Sequence, residues 1–322
     1  MNKTDELHVI FGTGPLGKAV MRELLARNKR VRMVNRRGKA EVPPNVDIIA
    51  CDAYDPENTR VVTAEATVVY QCAQPAYTQW PKFFPSLQAS IVEGVAANGA
   101  KLVVGDNLYM YGPVNGVLRE NLPNAATTRK GRVRTQMAEA LLNAHQRGIV
   151  RVAIGRASDF YGPEVLNSVM GDRVFPAVLT GKTASALGEI DLPHSYTFID
   201  DFGKALVILG EQDDAFGQIW HIPNADTITT RQFITIAFEE AGKPPKISKM
   251  GKFMMRLGGI FIPKARETVE MMYEFDKPFV VNHDKYVQAF GNHATPLREA
   301  IRRTLVWYGE HLKTLRPSKL TH

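Results

Sequence analysis

The sequence predicts an α/β fold, a doubly wound parallel sheet with a smaller, mainly helical lobe, and three observations predict it. First, short apolar runs alternate with helix-period segments through the first half of the chain, and the runs are apolar at nearly every position, as strands covered on both faces must be. Second, the opening run His8-Val-Ile-Phe11 passes into Gly12-Thr-Gly-Pro-Leu-Gly17 and then into a stretch with apolar residues at Leu16, Val20, Leu24 and Leu25. Third, the alternation stops after Gly162-Pro163, which marks where the second lobe begins.

Taken in order, strands are expected at Leu7–Phe11, Arg30–Val34, Val46–Ala50, Thr67–Gln71, Lys101–Val104 and Val150–Gly155. Helices are expected over Leu16–Arg27, Asp55–Ala64, Phe83–Asn98 and Thr135–Arg147; Asn98-Gly99 and Arg147-Gly148 supply stops for the last two. Residues 163–195 read as loop-rich. Thr197-Phe-Ile-Asp-Asp201 then leads into a helix over Phe202–Glu211 with Asp at its N-cap, and Gly217–Ile222 reads as one more strand. Residues 227–262 and 294–313 read as mainly helical. The expected domains are therefore interleaved: residues 1–162, recruiting about 196–224, form the sheet domain, and residues 163–195 and 225–316 form the substrate lobe.

Composition narrows the function classes. With 322 residues, 44% hydrophobic and 23% charged, the chain has ample core for a globular protein. The start MNKTDELHVIFG lacks the features of a signal peptide, and Phe253 to Ile262, the best apolar run, is interrupted by Arg256, so a cytoplasmic location without a membrane partner is expected. Cys51 and Cys72 sit at strand ends and read as buried structural residues. The net charge of +7 is scattered except at Asn35-Arg-Arg-Gly-Lys39 and Arg129-Lys-Gly-Arg-Val-Arg134; without an aromatic stacking array this does not describe a nucleic-acid surface. The sequence has no HExxH, Cys cluster, Walker loop or GxSxG elbow, so no metal is expected. The expected partner is a small molecule, and the chain a monomer or homodimer.

The glycine turn carries the most specific chemistry. Gly12 permits a tight turn, Gly14 lets backbone approach phosphates, and Gly17 lets the helix pack on the strand, with Thr13, Pro15 and Leu16 completing the loop. The helix N-terminus that follows offers unbonded N–H groups and a positive dipole end to an anion. At the end of the second strand, a carboxylate would accept from a ribose 2′-hydroxyl and repel a 2′-phosphate. That place reads Val34-Asn35-Arg36-Arg37, with no carboxylate and with a guanidinium fork suited to phosphate, so NADP(H) is expected over NAD(H).

With these residues in view, the chain resembles the extended or atypical branch of the short-chain dehydrogenase/reductases, the NAD-dependent epimerase/dehydratase-like group. The resemblance rests on Gly12-Thr-Gly-Pro-Leu-Gly17, Asp52, Tyr111-Gly112, Arg156-Ala-Ser-Asp-Phe-Tyr-Gly-Pro163, Phe198-Ile-Asp-Asp201 and the closing Thr295-Pro-Leu-Arg through Trp307-Tyr308. It implies a Rossmann domain, with Asp52 at the adenine, Ala73-Gln74-Pro75 along the adenosine ribose and pyrophosphate, and Arg156-Ala157-Ser158-Asp159-Phe160 beside the nicotinamide, Ala157 and Ser158 as its cofactor contacts; Ser158-Asp159 can also be read as a turn signal. Asp52 reads equally well as a cap for the next helix.

The catalytic pattern departs from the resemblance. The family's Tyr, whose phenol exchanges a proton with the substrate, and the Lys four residues later fall on Gly131 and Thr135, and its Ser/Thr falls on Asn107. The candidates left to act are the Asn107 amide, as a donor to a carbonyl oxygen or as a satisfier of its own turn, and the Tyr111 phenol. Arg132 and Arg134, from the cation cluster, and His194 are expected to meet the substrate, the cations pointing to an anionic one. The reading is an NADP(H)-dependent oxidoreductase or epimerase-like enzyme acting on a carbonyl or hydroxyl compound in a cleft between sheet and lobe. The alternative is a catalytically degenerate NADP-binding sensor or regulatory protein.

Overall fold

A computed structural model describes residues 6–251 and 269–315. The chain divides into two compact units, one comprising residues 1–158, 200–223 and 281–293, the other residues 159–199, 224–280 and 294–322.

The first unit is built on seven parallel strands: β1 (Leu7–Phe11), β2 (Arg30–Asn35), β3 (Asp47–Ala50), β4 (Ala66–Gln71), β5 (Lys101–Asp106), β6 (Arg151–Arg156) and, from late in the chain, Ile219–His221. Their order across the sheet, counting that late strand last, is 3-2-1-4-5-6 and then the late strand. The chain winds outward from β1 in one direction and returns to start again at β4 on the other side. Helices α1 (Pro15–Ala26), α2 (Pro56–Val62), α3 (Trp80–Ala97) and α4 (Arg129–Gln146) make the crossovers. The apolar runs explain the burial: Val9, Ile10, Val69, Leu102, Val152 and Ile154 are completely enclosed. This winding places a crevice at the carboxyl ends of β1 and β4, where the strand order reverses and open α/β sheets hold their ligands.

The second unit carries β7 (Asp159–Tyr161), α5 (Phe175–Thr180), β8 (Ala184–Leu187), β9 (Pro193–His194) and β10 (Tyr196–Phe198). Helix α6 (Ile199–Glu211) and the late strand, β11 (Ile219–His221), then belong mainly to the first unit. The second unit resumes with β12 (Ile228–Thr229), α7 (Thr230–Glu240) and β13 (Ile247–Met250). Helix α8 (Asp284–Phe290) belongs to the first unit and α9 (Leu297–Leu315) to the second. The core of the second unit gathers Phe175, Phe233, Phe238, Ile301 and Tyr308.

Three local expectations are corrected. Residues 247–250, expected to be helical, form a strand parallel to β8, because Pro244-Pro245 block a helix and Ile247 enters the ladder instead. Helix α4 begins six residues before Thr135, with Thr128 Oγ1 accepting from Gly131 N–H at 3.1 Å as its N-cap; burial of Val133 and Met137 outweighs a glycine in the first turn. Asp200 and Asp201 lie inside the first turn of α6 rather than at its cap, Asp200 taking a hydrogen bond from Arg22 at 2.6 Å. In the methionine-rich stretch, Met271 and Met272 are buried, whereas residues 252–268 lie outside the described residues. No helix among the described residues is long and apolar enough to cross a membrane.

Candidate active site

The carboxyl edge of the seven-stranded sheet starts at the glycine turn. Gly12 has φ +108°, and a Cβ there would lie 2.9 Å from the Ala73 nitrogen, so the loops after β1 and β4 run side by side with no room for a side chain. A Cβ on Gly17 would stand 2.0 Å from the Gly12 carbonyl oxygen, which is how closely α1 meets the turn. Gly14 differs: it is the N-cap of α1, has no side-chain cap, and nothing lies within 4 Å of its Cβ position. The helix therefore opens on free space, with no acidic residue in its first turn. A dinucleotide pyrophosphate fits such a cradle, and the Leu16 and Gly17 N–H groups would be its donors.

Around the turn, Asn35 uses its amide as a brace. Nδ2 donates to Thr13 Oγ1 and to the Lys39 carbonyl, each at 3.0 Å, and Oδ1 accepts from Arg37 N–H at 2.8 Å. Arg36 is exposed and has no hydrogen-bond or ion-pair partner among the described residues. Asp52, also exposed, accepts from Tyr54 N–H at 3.2 Å, while Asp55 is the N-cap of α2; the helix-cap alternative for Asp52 is thereby removed. Gln74 is exposed, and Pro75 offers its carbonyl to Trp80 Nε1 at 3.3 Å. Cys51 is buried, and burial pushes its thiol up to about 11.

At β5 and β6 the same edge is filled with charge. Asp106 Oδ1 accepts from Arg134 Nε at 2.8 Å and from its Nη2, and Oδ2 accepts from Arg156 Nε at 3.1 Å. All three side chains are at most 4% exposed, so the carboxylate is a buried counter-charge shared by two guanidiniums. Arg156 lies 4.9 Å from the Tyr111 ring centre, and Ala157 and Ser158 follow it as buried residues, with Ala157 N–H donating to the Asp106 carbonyl at 3.0 Å. Asp106 Oδ1 also accepts from Asn107 N–H at 2.8 Å. Asn107 Oδ1 in turn accepts from Tyr109 N–H at 3.2 Å, and its Nδ2 has no acceptor among the described residues.

Tyr111 is committed elsewhere. It is 1% exposed, and its hydroxyl lies 2.9 Å from His221 Nε2. His221 Nδ1 faces the Asn282 carbonyl at 2.9 Å, which can only accept; the proton therefore sits on Nδ1, and the phenol donates to Nε2. Burial lowers the His221 pKa, keeping the ring neutral, and its backbone N–H donates to Glu120 Oε1 at 2.9 Å. Burial also raises the Tyr111 pKa against the opposing charge of Arg156. The phenol expected to serve as acid is a buried donor to an imidazole.

The cation cluster is divided by its helix. Lys130 and Arg134, one turn apart, face inward, Lys130 Nζ lying 4.4 Å from the Tyr77 ring and Arg134 4.7 Å from Phe84. Arg132 faces outward and donates to the Thr127 carbonyl. Of the two arginines expected to meet substrate, Arg134 is spent on Asp106. Position 131 is closed as well: a Cβ on Gly131 would meet Ala126 Cβ at 2.4 Å and the Tyr109 carbonyl oxygen at 2.7 Å. His194, in the second unit, is buried with Nε2 2.9 Å from Asp159 Oδ2. Asp106 and His221 were not singled out by the sequence reading, whereas Arg156 and Asp159 entered it only within the Arg156–Pro163 motif, without a role of their own.

The winding, the open helix end and the crowded glycine turn define a Rossmann-type NAD(P)-binding enzyme. Residues 9–222 match the model of the NAD dependent epimerase/dehydratase family, and the chain belongs to that family. It is 26% identical over 259 residues to dTDP-6-deoxy-L-talose 4-dehydrogenase (NAD(P)(+)) of Kitasatospora kifunensis, covering 75% of this chain and 81% of the relative. Among solved structures it is similar to an epimerase of Methanothermobacter thermautotrophicus, with TM-score 0.81, 14% identity and coverage of 98% and 95% of the two chains. It is also similar to UDP-glucuronic acid 4-epimerase of Bacillus cereus in complex with UDP-glucuronic acid and NAD, with TM-score 0.76, 15% identity and coverage of 95% and 99%.

Proposed function

We propose that the protein is an NADP(H)-dependent oxidoreductase or epimerase-like enzyme that interconverts a hydroxyl and a carbonyl group on a small molecule without the usual Tyr/Lys pair. The observation that carries the cofactor choice is the end of β2: Asn35-Arg36 offers an exposed guanidinium and no carboxylate, beside a helix N-terminus left open at Gly14. The K. kifunensis relative is an NAD(P)(+) dehydrogenase by name, a description that includes the phosphorylated cofactor.

The chain's own residues divide the work. The Leu16 and Gly17 N–H groups hold the pyrophosphate, Asn35 braces the turn, and Arg36 takes the 2′-phosphate. Asp52, Ala73-Gln74-Pro75 and Ala157-Ser158 line the rest of the cofactor's path. The nicotinamide, when bound, supplies the two-electron chemistry. Asn107 Nδ2, its Oδ1 already occupied, donates to the substrate oxygen, and the outward Arg132 attracts an anionic substrate.

Calorimetric titration with NADPH and NADH, alongside a spectrophotometric assay of NADPH with a panel of aldehydes, ketones and nucleotide-linked keto sugars, tests this reading. Arg36→Ala is expected to weaken NADPH by about 10–100-fold, the value of a charge-assisted phosphate contact, and to leave NADH unchanged. Equal loss for both cofactors would remove the NADP assignment. NADPH binding without turnover across the panel would leave a cofactor sensor in place of an enzyme.

A further inference from the structure

Along the outer side of β11 the first unit holds a cavity of about 650 Å³, and every residue lining it belongs to that unit. We propose that this cavity binds a small hydroxylated anion, a sugar phosphate or a sugar acid, at a site separate from the cofactor crevice.

Strand β11 stands at the end of the sheet, four strand spacings or about 19 Å from β1. Gln218 offers its carbonyl to Ile154 N–H at 3.1 Å, and Ile222 N–H donates to the Arg156 carbonyl at 2.9 Å. By alternation, Ile219 and His221 turn their peptide groups away from β6 and toward the cavity side. Side chains have already taken two of those groups. Glu120 Oε1 accepts from His221 N–H at 2.9 Å, and Lys285 Nζ donates to the Ile219 carbonyl at 2.8 Å. A strand added to this edge would have to displace both charges, so the cavity suits a small molecule and not a peptide. Ile219 N–H has no acceptor among the described residues.

The lining offers cations and acceptors together. The Arg119 guanidinium has no hydrogen-bond or ion-pair partner among the described residues, and Lys285 keeps two protons after its bond to Ile219. Lys285 is half-buried, with Nζ 4.1 Å from the Trp220 ring centre. Burial lowers its pKa against the charge of Glu120, and an anion beside it would offset that cost. On the accepting side, one oxygen of Glu120 is held by His221 N–H and one of Asp284 by Asn282 Nδ2 at 2.6 Å. Their other oxygens accept no hydrogen bond among the described residues. The amides of Asn121 and Gln288, likewise without partners among the described residues, can donate or accept.

This inventory selects the ligand class. A neutral sugar would leave Arg119 unused. A bare anion would face two carboxylates as well as two cations. An oxyanion carrying hydroxyl groups satisfies both, its charge meeting Arg119, Lys285 and Ile219 N–H and its hydroxyls donating to Glu120 and Asp284. The volume lies within the roughly 300–1,000 Å³ of small-molecule sites.

The test titrates the full chain, without cofactor, with ribose 5-phosphate, gluconate, ribose and inorganic phosphate, read by calorimetry and by backbone and side-chain ¹⁵N shifts. Saturable shifts are expected at Ile219 N–H, Arg119 Nε and the Asn121 and Gln288 amides with ribose 5-phosphate or gluconate, the tighter of the two assigning phosphate or carboxylate. Arg119→Ala is expected to weaken that ligand about 10–100-fold, and Gln288→Ala about 2–10-fold, the scales of a charged and a neutral hydrogen bond. Arg36→Ala, beyond β1 at the other side of the sheet, should leave its affinity within twofold, which separates this site from the glycine turn. Failure of the NADP(H) assignment would leave these expectations unchanged. Four results would each overturn the proposal: shifts confined to the glycine turn; ribose or inorganic phosphate binding as tightly as the better anion; Arg119→Ala and Gln288→Ala both within twofold of wild type; or no saturation by about 10 mM of any compound.

Discussion

The two ends of one sheet edge are built in opposite ways. Between β1 and β4 the backbone is stripped of side chains, and the place where Gly14 would carry a Cβ is open space. Across β5 and β6 the edge is packed with Asp106, Arg134, Arg156 and Tyr111, all nearly inaccessible. The first arrangement presents N–H groups and a helix dipole to a ligand; the second uses its charges on itself. Gly131 belongs to the second kind, since Ala126 and the Tyr109 carbonyl fill the space beside it.

The contrast can be broken most forcefully at Asp106. Asp106→Ala leaves two buried guanidiniums without their counter-charge and is expected to destabilise the fold by about 3–5 kcal/mol in urea denaturation. A loss below about 1 kcal/mol would mean that the charged end of the edge is not self-supporting. The next effect depends on acid. Burial lowers His8 from 6.5 to about 4, so the unfolded chain takes up that proton first. This contribution is complete above pH 6.5 and is lost as pH falls toward 4, amounting to about 1–3 kcal/mol. Denaturation series at several pH values should show the slope in wild type and a flatter one in His8→Asn.

Gly131→Ala is expected to cost about 1–3 kcal/mol, because backbone and Ala126 must shift to admit one methyl group. Gly14→Ala sharpens the comparison from the other side. Its Cβ meets nothing, so stability should change by less than about 1 kcal/mol, the scale of an N-cap exchange. NADPH affinity should nevertheless fall about tenfold or more, as the methyl group occupies the cradle. Thermal melts and calorimetry on the same two variants separate the outcomes.

The apolar runs made β1, β4 and β5 legible from sequence to within a residue or two, because strands enclosed on both faces carry their own signal. The glycine turn was legible for the same local reason: Gly12, Gly14 and Gly17 act within six residues of one another. The charged end was not. Arg134 meets Asp106 across 28 residues, Arg156 meets it across 50, and Tyr111 meets His221 across 110; none of these contacts leaves a local pattern. The run from Arg129 to Arg134 reads as one cationic patch in sequence, yet a helix turns 100° per residue and sends Arg134 inward and Arg132 outward. His194 was legible as a candidate, but its pairing with Asp159, 35 residues earlier in the Arg156–Pro163 motif, leaves no local pattern.

The central claim is that the open end of this edge takes an NADP(H) pyrophosphate and its 2′-phosphate. A crystal structure with bound NADP⁺ tests it most directly. The account predicts phosphate oxygens at about 3 Å from the Leu16 and Gly17 nitrogens and the Arg36 guanidinium on the 2′-phosphate. A pyrophosphate bound elsewhere on the sheet edge, or a 2′-phosphate in solvent away from Arg36, would contradict it.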